Sequence, residues 1–207
     1  MKKTLVDNYI YERELYTSGI ELIAGTDEAG RGPLAGPVVA ACVIMPKDNR
    51  IDGVDDSKKV SEKNRYRLYD EIMKNAISVG VGIVDEKTID EINILNATKI
   101  AFEKAYDDLS IKPQHILIDA LGGILKTVPQ TVIIKGDSLS YQIAAASIVA
   151  KVTRDRLMIN YDSVYPKYNF SKHKGYGTKE HMQALREFGI CPIHRHSFLK
   201  NIEGISL

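Results

Sequence analysis

The chain has 207 residues and a mass of 23.1 kDa, with 44% hydrophobic and 27% charged residues. These values are typical of one globular domain with a substantial core and exclude a disordered or collagen-like chain. No apolar run approaches the roughly 20 residues of a membrane-spanning helix. The first four residues lack the apolar centre of a signal peptide. We therefore expect a cytoplasmic protein with no membrane partner, in which Cys42 and Cys191 form no disulfide framework.

The net charge of +1 conceals an asymmetry along the chain. Residues 138–200 hold ten Lys or Arg and four acids, which gives +6, so the remainder carries −5. A basic C-terminal third beside an acidic region favours an enzyme that binds a polyanion. Solvated surface helices would produce the same pattern, so charge alone does not decide between the two interpretations.

Hydrophobic patterning predicts an alternation of strands and helices. In chain order, the predicted elements begin with a short helix within 1–19, strands over 20–27 and 37–45, and a charged loop over 52–59. They continue with a helix from 61 to about 75, a strand over 76–84 and a helical segment over 85–109 with a break near 94 or 96. The second half has strands over 116–119 and 131–134 around a loop containing 122–123, a long helix opened by 136–138 and running from 139 to about 161, a loop over 167–177, and a last helix from 178 to about 188. Ser61 and Thr178 are suitable helix N-caps. The order predicts an α/β protein with helices on a mixed sheet. We expect one domain over 1–207, with a core at about 20–160 and a basic helical part over about 161–207.

Two adjacent acids, Asp27 and Glu28, end the first predicted strand, and Gly30-Arg31-Gly32 follows them. Neighbouring carboxylates repel one another and are costly to desolvate, so packing alone rarely explains them. A divalent cation relieves both problems. The glycines permit a close approach of the backbone to a ligand, and an arginine between them suits a phosphate. This segment predicts metal-assisted chemistry on a phosphate backbone.

Asp119 ends the fourth predicted strand, and Asp137 precedes the long helix. If the first and fourth strands are neighbours, Asp27, Glu28 and Asp119 converge at one sheet edge and Asp137 approaches from the side. Carboxylates without Cys or His favour Mg²⁺ or Mn²⁺, and two ions about 4 Å apart would bridge a scissile phosphate. The alternatives are a helix N-cap role for Asp137 and a turn role for Asp119.

Seven motifs together resemble the type 2 ribonuclease H family, specifically bacterial ribonuclease HII. They are GTDEAGRGPLAGPV at 25–38, DSKK at 56–59, IDA at 118–120, KGDS at 135–138, IAAASIVAKVTRD at 143–155, HKGYGT at 173–178 and PIHR at 192–195. The motifs occur in the family's order and extend over about 20–200, which makes their combination far more specific than any one of them.

This resemblance implies an RNase H-like fold, with a five-stranded mixed sheet flanked by helices and a helical C-terminal extension. It implies two-metal-ion cleavage, with Mn²⁺ or Mg²⁺, of the RNA strand of RNA/DNA hybrids. It also implies incision 5′ of single ribonucleotides in duplex DNA, leaving a 5′-phosphate and a 3′-hydroxyl. By motif match, the residues that carry both catalysis and metal binding are Asp27, Glu28, Asp119 and Asp137.

The resemblance also assigns residues to the substrate. Gly30-Arg31-Gly32 would read the ribose 2′-hydroxyl through its backbone and touch a nearby phosphate, because this hydroxyl distinguishes RNA from DNA. Tyr176 would pack on the sugar beyond the ribonucleotide, although a tyrosine on a turn needs no such role. The candidates for phosphate contacts are Lys58, Lys59, Lys151, Arg154 and Lys174. Arg154 has a structural alternative, which is an ion pair with Asp155.

The C-terminal histidines invite a zinc interpretation with Cys191. Cys191 and His194 supply only one half-site, and a structural zinc needs a second pair, so we reject this interpretation. A general acid role for one of His173, His181, His194 or His196 stays open.

Two other functions stay open at this point. One is a different nuclease of the same fold, resembling a resolvase or transposase, and the other is a nucleic-acid-binding module that holds Ca²⁺ and cleaves nothing. The expected partners are RNA/DNA hybrids and DNA duplexes containing ribonucleotides. We expect a monomer, and the sequence leaves a replication-clamp partner open.

Overall fold

The computed structural model describes residues 7–119, 127–200 and 202. The sheet consists of β1 (Ile23–Ala29), β2 (Val38–Ile44), β3 (Ser78–Val84), β4 (His115–Asp119) and β5 (Gln130–Ile133). The helices are α1 (Ile10–Thr17), α2 (Glu62–Asn75), α3 (Glu86–Asp107), α4 (Gly136–Leu139), α5 (Tyr141–Val164), α6 (Phe170–His173), α7 (Lys179–Phe188) and α8 (His196–Leu199). The predicted α/β architecture, with a five-stranded mixed sheet flanked by helices and a helical C-terminal extension, is confirmed.

The five strands lie in the order β3-β2-β1-β4-β5. β1 pairs antiparallel with β2 and parallel with β4, and β5 continues the parallel half. The neighbourhood of the first and fourth strands, on which the predicted acidic site depends, is therefore confirmed. All seven residues of β2 are buried, as its continuous apolar run predicts for a strand covered on both faces.

Two helical layers cover the sheet. On one face, α3 packs Ala101 and Phe102 against Ala40 and Ile44 of β2. On the other face, the alanine-rich start of α5 packs against Ala41 and Val43 of the same strand. The alternation of side chains along a strand sends these neighbouring residues to opposite layers.

Close contact between α5 and β1 depends on Gly25. A Cβ built at this position would lie 2.0 Å from the backbone carbon of Gln142, which belongs to α5. The side chain of Gln142 also bonds the backbone of Met45, accepting from its amide at 2.7 Å and donating to its carbonyl at 3.0 Å. Helix α5 is thus held directly against β1, the strand that carries Asp27 and Glu28.

A third apolar cluster builds the C-terminal part around α6 and α7. Phe170 stacks on Tyr168 with ring centroids 5.3 Å apart, and Met158 of α5 and Ala35 join the same cluster. This cluster attaches the basic C-terminal segment to the loop that follows β1. None of the helices in the described ranges is long and apolar enough to cross a membrane.

Several predicted boundaries need correction. β1 continues to Ala29, so Asp27 and Glu28 lie inside the strand and not at its tip. The long helix is interrupted, because Ser140 is extended and caps α5 by accepting a hydrogen bond from Ile143. α7 is not the last helix, since α8 follows it. The break in α3 is at Asn93, where φ is 66°. This is one residue before position 94, the nearer of the two predicted positions of the break. The predicted loop at 122–123 lies outside the described residues.

We expect Gly25→Ala to destabilise the fold, because its new methyl group would meet the backbone of α5 and no side-chain rotation can relieve the contact. Overpacking of this kind should cost more than about 2 kcal/mol of unfolding free energy, measured by urea denaturation.

Gly32→Ala is the matched control. A Cβ at this position would have only Tyr176 nearby, at 3.9 Å, so its unfolding free energy should change by less than about 0.5 kcal/mol. Equal stability of the two variants would contradict the proposed packing of α5 on β1.

Candidate active site

Three of the four predicted carboxylates converge at one edge of the sheet. Asp27 lies on β1, Asp119 is the last residue of β4, and Asp137 lies on α4. A carboxylate oxygen from each lies within 4.8 Å of an oxygen from the other two. Parallel pairing of β1 with β4 explains the first two, because it brings the same ends of both strands to one edge.

Asp137 reaches the other two acids because the chain turns back sharply after β5. Lys135 has a left-handed backbone, with φ 61°, and the next amide, that of Gly136, donates to Asp119 Oδ1 at 2.8 Å. This bond ties the start of α4 to the end of β4. Asp137 is therefore inside a one-turn helix and is not the N-cap of the long helix, which removes one structural alternative for this residue.

The cluster is electrostatically unfavourable without a cation. Burial, followed by the charges of Glu28 and Asp119, raises the pKa of Asp27 well above its usual range. Burial also raises the pKa of Asp137, and the carboxylates of Asp56 and Asp119 raise it further. Both shifts show that the metal-free fold disfavours the fully ionised cluster. All-oxygen donors of this kind suit hard divalent ions.

Glu28 lies beside this cluster with a different partner. Its Oε1 accepts a hydrogen bond from Arg31 Nη1 at 3.2 Å. Burial raises the pKa of Glu28, and Arg31 opposes that rise. Of the four acids that were predicted to converge, Asp27, Asp119 and Asp137 form a close group. The fourth, Glu28, lines the adjoining cleft.

A cleft of about 280 Å³ opens next to the acids. Its lining residues are Asp27, Glu28, Ala29, Gly30, Arg31, Gly32, Ser57, Lys58, Lys151 and Tyr176. It joins segments that are distant in the sequence, and the Gly-Arg-Gly motif, Tyr176 and two of the predicted lysines meet there.

The two glycines of the motif differ in what the fold demands. Gly30 has φ 98°, and a Cβ there would lie 2.1 Å from Arg154 Nε, so the fold itself requires glycine. At Gly32 a Cβ would face open space apart from Tyr176. The absence of a side chain at Gly32 keeps the cleft open and does not serve packing.

The predicted lysines have different environments. The Nζ of Lys58 lies 3.6 Å from Asp137 Oδ2 while most of its side chain is exposed. Partial burial lowers the pKa of Lys58, but the surrounding carboxylates, Asp137 first, together raise it above its usual value. Lys151 lines the cleft and pairs with Asp155 Oδ1 at 2.7 Å. Lys59 donates to Ser138 Oγ at 2.7 Å. Both Lys58 and Lys151 can therefore reach a ligand in the cleft.

Both interpretations of Arg154 need correction. Arg154 is 1% exposed and donates to the carbonyls of Pro37, Lys174 and Ala35 at 2.9–3.0 Å, so it cannot contact a phosphate. Its alternative ion pair with Asp155 is also wrong, because Asp155 pairs with Lys151. Lys174 lies outside the cleft lining, and its Nζ donates to the carbonyl of Ser171 within its own loop; its phosphate contact stays a prediction.

Sequence analysis missed two residues near the site. Asp56 is 9% exposed, accepts a hydrogen bond from the Lys58 amide at 2.9 Å and places a further negative charge near Asp137, which raises the pKa of Asp137. Its place in the DSKK motif was the available signal. Arg195 is completely buried and bonds the carbonyls of the Gly-Arg-Gly motif. Its place in the PIHR motif at 192–195 was the available signal.

Three of the four C-terminal histidines, His173, His181 and His194, form a buried structural group behind the Tyr176 loop. Within the cluster, His181 Nε2 lies 3.0 Å from His194 Nε2, and His173 stacks on His181 at 4.4 Å. His181 Nδ1 lies 3.0 Å from the carbonyl of Tyr176, and His194 Nδ1 accepts from the Cys191 amide at 2.8 Å. Burial lowers the pKa of both His181 and His194 to about 4. These nitrogens are engaged in hydrogen bonds, and none of the three histidines belongs to the lining of the cleft.

Comparison with known proteins agrees with this geometry. The model of the ribonuclease HII family matches residues 24–201. Ribonuclease HII of Acetivibrio thermocellus is 58% identical over 192 residues, covering 93% of this chain and 75% of that protein. The chain belongs to the ribonuclease HII family, whose members are metal-dependent hydrolases.

Solved structures give the same result for the fold. Ribonuclease H2 from Pyrococcus horikoshii superposes with a TM-score of 0.75 at 29% identity, covering 85% of this chain and 93% of that one. The PCNA:RNase HII complex from Archaeoglobus fulgidus gives a TM-score of 0.69 at 28% identity, with 80% and 87% coverage. The RNase H-like fold is thereby confirmed.

We expect Asp27→Asn to leave the metal-free protein at least as stable as the wild type at pH 8, because it removes a buried charge that its neighbours repel. The raised pKa values in the cluster mean that the native state binds protons more tightly than the unfolded state. The resulting stabilisation is present at acidic pH and is lost as the pH rises through the native pKa values. The advantage of the variant should therefore shrink toward pH 4.

The measurement is urea unfolding in EDTA at pH 4 and pH 8. Asp107→Asn, at an exposed position on α3, is the control and should show no such difference. A metal-free Asp27→Asn protein that is less stable than the wild type at pH 8 by more than about 1 kcal/mol would contradict electrostatic repulsion in the cluster.

Proposed function

We propose that this chain is an endoribonuclease that hydrolyses the RNA strand of RNA/DNA hybrids and incises 5′ of single ribonucleotides in duplex DNA. The observation that carries this proposal is the cleft itself. Three converging carboxylates adjoin a wall formed by Gly30-Arg31-Gly32 and Tyr176. A metal site next to an exposed backbone segment suits cleavage of a phosphodiester whose sugar must be recognised. We take residues 1–207 as one catalytic domain that acts in the cytoplasm.

Asp27, Asp119 and Asp137 would hold the metal, with Glu28 at its side. We infer Mg²⁺ or Mn²⁺ from the all-oxygen donor set. When bound, two such ions supply activation of water and neutralisation of charge on the leaving oxygen. The protein fixes the carboxylates on two strands and a short helix, so the donor atoms are placed before the substrate arrives. The products would carry a 5′-phosphate and a 3′-hydroxyl.

The Gly-Arg-Gly segment would recognise the ribose through its backbone. The 2′-hydroxyl is the group that separates RNA from DNA, and the open space at Gly32 lets a sugar approach the main chain closely. Arg31 keeps its guanidinium near Glu28 and the cleft, where it can contact a phosphate. Lys58 and Lys151 would add non-specific phosphate contacts, which predict binding that weakens with salt.

Tyr176 would test the sugar next to the ribonucleotide. Its ring is 45% exposed, lies 3.9 Å from a Cβ built at Gly32 and forms part of the cleft wall. An aromatic ring that packs in the core would be buried, so this exposure favours a role in ligand contact. A planar ring covers a deoxyribose well and leaves little room for an additional hydroxyl.

A cleavage assay tests the proposal. The protein is incubated with Mg²⁺ or Mn²⁺ and a labelled DNA duplex that contains one ribonucleotide, with an all-DNA duplex and an RNA/DNA hybrid beside it. We expect one nick on the 5′ side of the ribonucleotide, cleavage of the hybrid RNA strand, no cleavage of DNA, and no activity for Asp27→Asn. Structure-dependent cutting of DNA would favour a resolvase-like nuclease, and binding without cutting would favour a non-catalytic module.

We expect Tyr176→Ala to lower the rate of incision at a single ribonucleotide at least tenfold, because the sugar on the DNA side of the junction loses its packing surface. Tyr176→Phe retains the ring and should keep most of the activity. Phe188→Ala removes a ring of similar exposure, 40%, outside the cleft and should have no effect. Steady-state rates on the one-ribonucleotide duplex would measure this, and an unchanged rate for Tyr176→Ala would refute the role.

A further inference from the structure

Two arginines lie fully buried behind the Gly-Arg-Gly wall. Arg154 is 1% exposed and Arg195 is 0% exposed. No acid in the described ranges pairs with either guanidinium within ion-pair distance, and each guanidinium is bonded to backbone carbonyls instead. Burial of a cation without a counter-ion is costly, so these residues need an explanation beyond packing.

Arg195 bonds three carbonyls of the loop after β1. Its Nη2 donates to Gly30 O at 2.6 Å and to Gly36 O at 2.7 Å, and its Nη1 donates to Arg31 O at 3.1 Å. The Nε–H of Arg195 also donates to Gly36 O, at 2.9 Å. One planar guanidinium thus turns the carbonyls of this loop toward the protein interior, a geometry that a lysine ammonium could not reproduce.

This arrangement fixes the direction of two amide groups. In a trans peptide, the N–H points opposite to the C=O of the same planar unit. The carbonyls of Gly30 and Arg31 share their units with the amides of Arg31 and Gly32. Because Arg195 holds both carbonyls inward, both amides face away from it. Within the part of the chain that the structure describes, neither amide donates to a protein acceptor.

Arg154 connects the same loop to the segment that carries Tyr176. It donates to the carbonyls of Ala35 and Pro37 on one side and of Lys174 on the other. The amide of Leu34 donates to Gly175 O at 2.8 Å beside it. The two walls of the cleft therefore share one buried hydrogen-bond network.

We propose that Arg154 and Arg195 are positioning residues for ribose recognition. Arg195 presents the amides of Arg31 and Gly32 as a pair of preset donors for an oxygen of the substrate. Arg154 sets the Tyr176 segment at a fixed distance from them. This inference rests on the proposed function and adds the residues that hold its specificity elements in place.

Single-turnover cleavage of the one-ribonucleotide duplex by Arg195→Lys and Arg195→Gln tests the proposal. The rate is followed as a function of enzyme concentration, with enzyme in excess. We expect the maximal rate constant of both variants to fall at least tenfold, because neither side chain can hold three carbonyls. A mere loss of folded protein would raise the half-saturating concentration and leave the maximal rate constant unchanged. Arg156→Lys and Arg156→Gln, at an exposed position on α5, are the controls.

Three outcomes would overturn the assignment of Arg195. They are a maximal rate constant within threefold of the wild type for both Arg195→Lys and Arg195→Gln, an equal loss in the Arg156 variants, or a rate constant within threefold for Arg195→Lys with a loss only in Arg195→Gln. The last would show that charge alone matters. If the Arg195 variants do not fold, amide exchange in the wild type decides. Binding of the one-ribonucleotide duplex with Ca²⁺ should protect the amides of Arg31 and Gly32 more than an all-DNA duplex does, and equal protection would contradict the proposal.

A double-mutant cycle tests Arg154. Arg154→Lys should lower the maximal rate constant at least fivefold in the wild type and less than twofold when Tyr176 is already alanine, because its effect passes through the Tyr176 segment. Equal effects in both backgrounds would overturn this role. If the wild type does not cut the one-ribonucleotide duplex, the proposed function itself fails. If the wild type cuts and the arginine variants cut equally well, only the positioning role fails.

Discussion

Parallel pairing of β1 with β4 is the constraint on which the site depends. It brings Asp27 and Asp119 to one edge of the sheet, and the bond from the Gly136 amide to Asp119 brings Asp137 to the same place. The three carboxylates repel one another, so the cluster persists only because packing of the sheet and α5 resists that repulsion. The close contact at Gly25 is part of that resistance. Binding of a divalent cation would relieve this repulsion, because the cation neutralises carboxylates that the fold has already brought together. The repulsion in the metal-free protein would therefore favour cation binding.

Charge is separated across the cleft. The acids form one side, and the two buried arginines stand behind the other, bonded only to carbonyls. Burial lowers the pKa of Arg154 to about 10, and burial together with the charge of Arg154 lowers the pKa of Arg195 to about 9. Both groups stay cationic at neutral pH. In the proposed function, a polyanionic strand entering the cleft would meet positive potential on the loop side, and its reacting phosphate would lie near the carboxylates. Lys58, which is exposed, and Lys151, which is partly buried in the cleft wall, extend that positive surface toward solvent.

Local sequence predicted the elements that have strong local signals. The apolar run of β2, the Ser61 cap and the adjacency of Asp27 and Glu28 all follow from short-range rules. Arg154 shows where such rules fail. As a basic residue within the motifs that resemble the family, it was predicted to contact a phosphate, but its partners are carbonyls at positions 35, 37 and 174. Those partners come together only through the tertiary fold. The same reason explains why Arg195 went unnoticed and why the interruption at Ser140, stabilised by the buried Glu12 of α1, was not predicted.

Recognition of one hydroxyl by backbone groups has a physical advantage over recognition by a flexible side chain. A mobile donor can rotate to find water when the hydroxyl is absent, so it discriminates weakly. Two amides fixed by buried arginines cannot rotate, and a deoxyribose packed against them would leave them without an acceptor. Rejection of an analogue that lacks a hydroxyl depends on this cost of unpaired polar groups. Under this proposal, rigidity behind the loop would be as important to selectivity as the atoms that touch the sugar, and it would be supplied by two arginines buried behind the cleft wall.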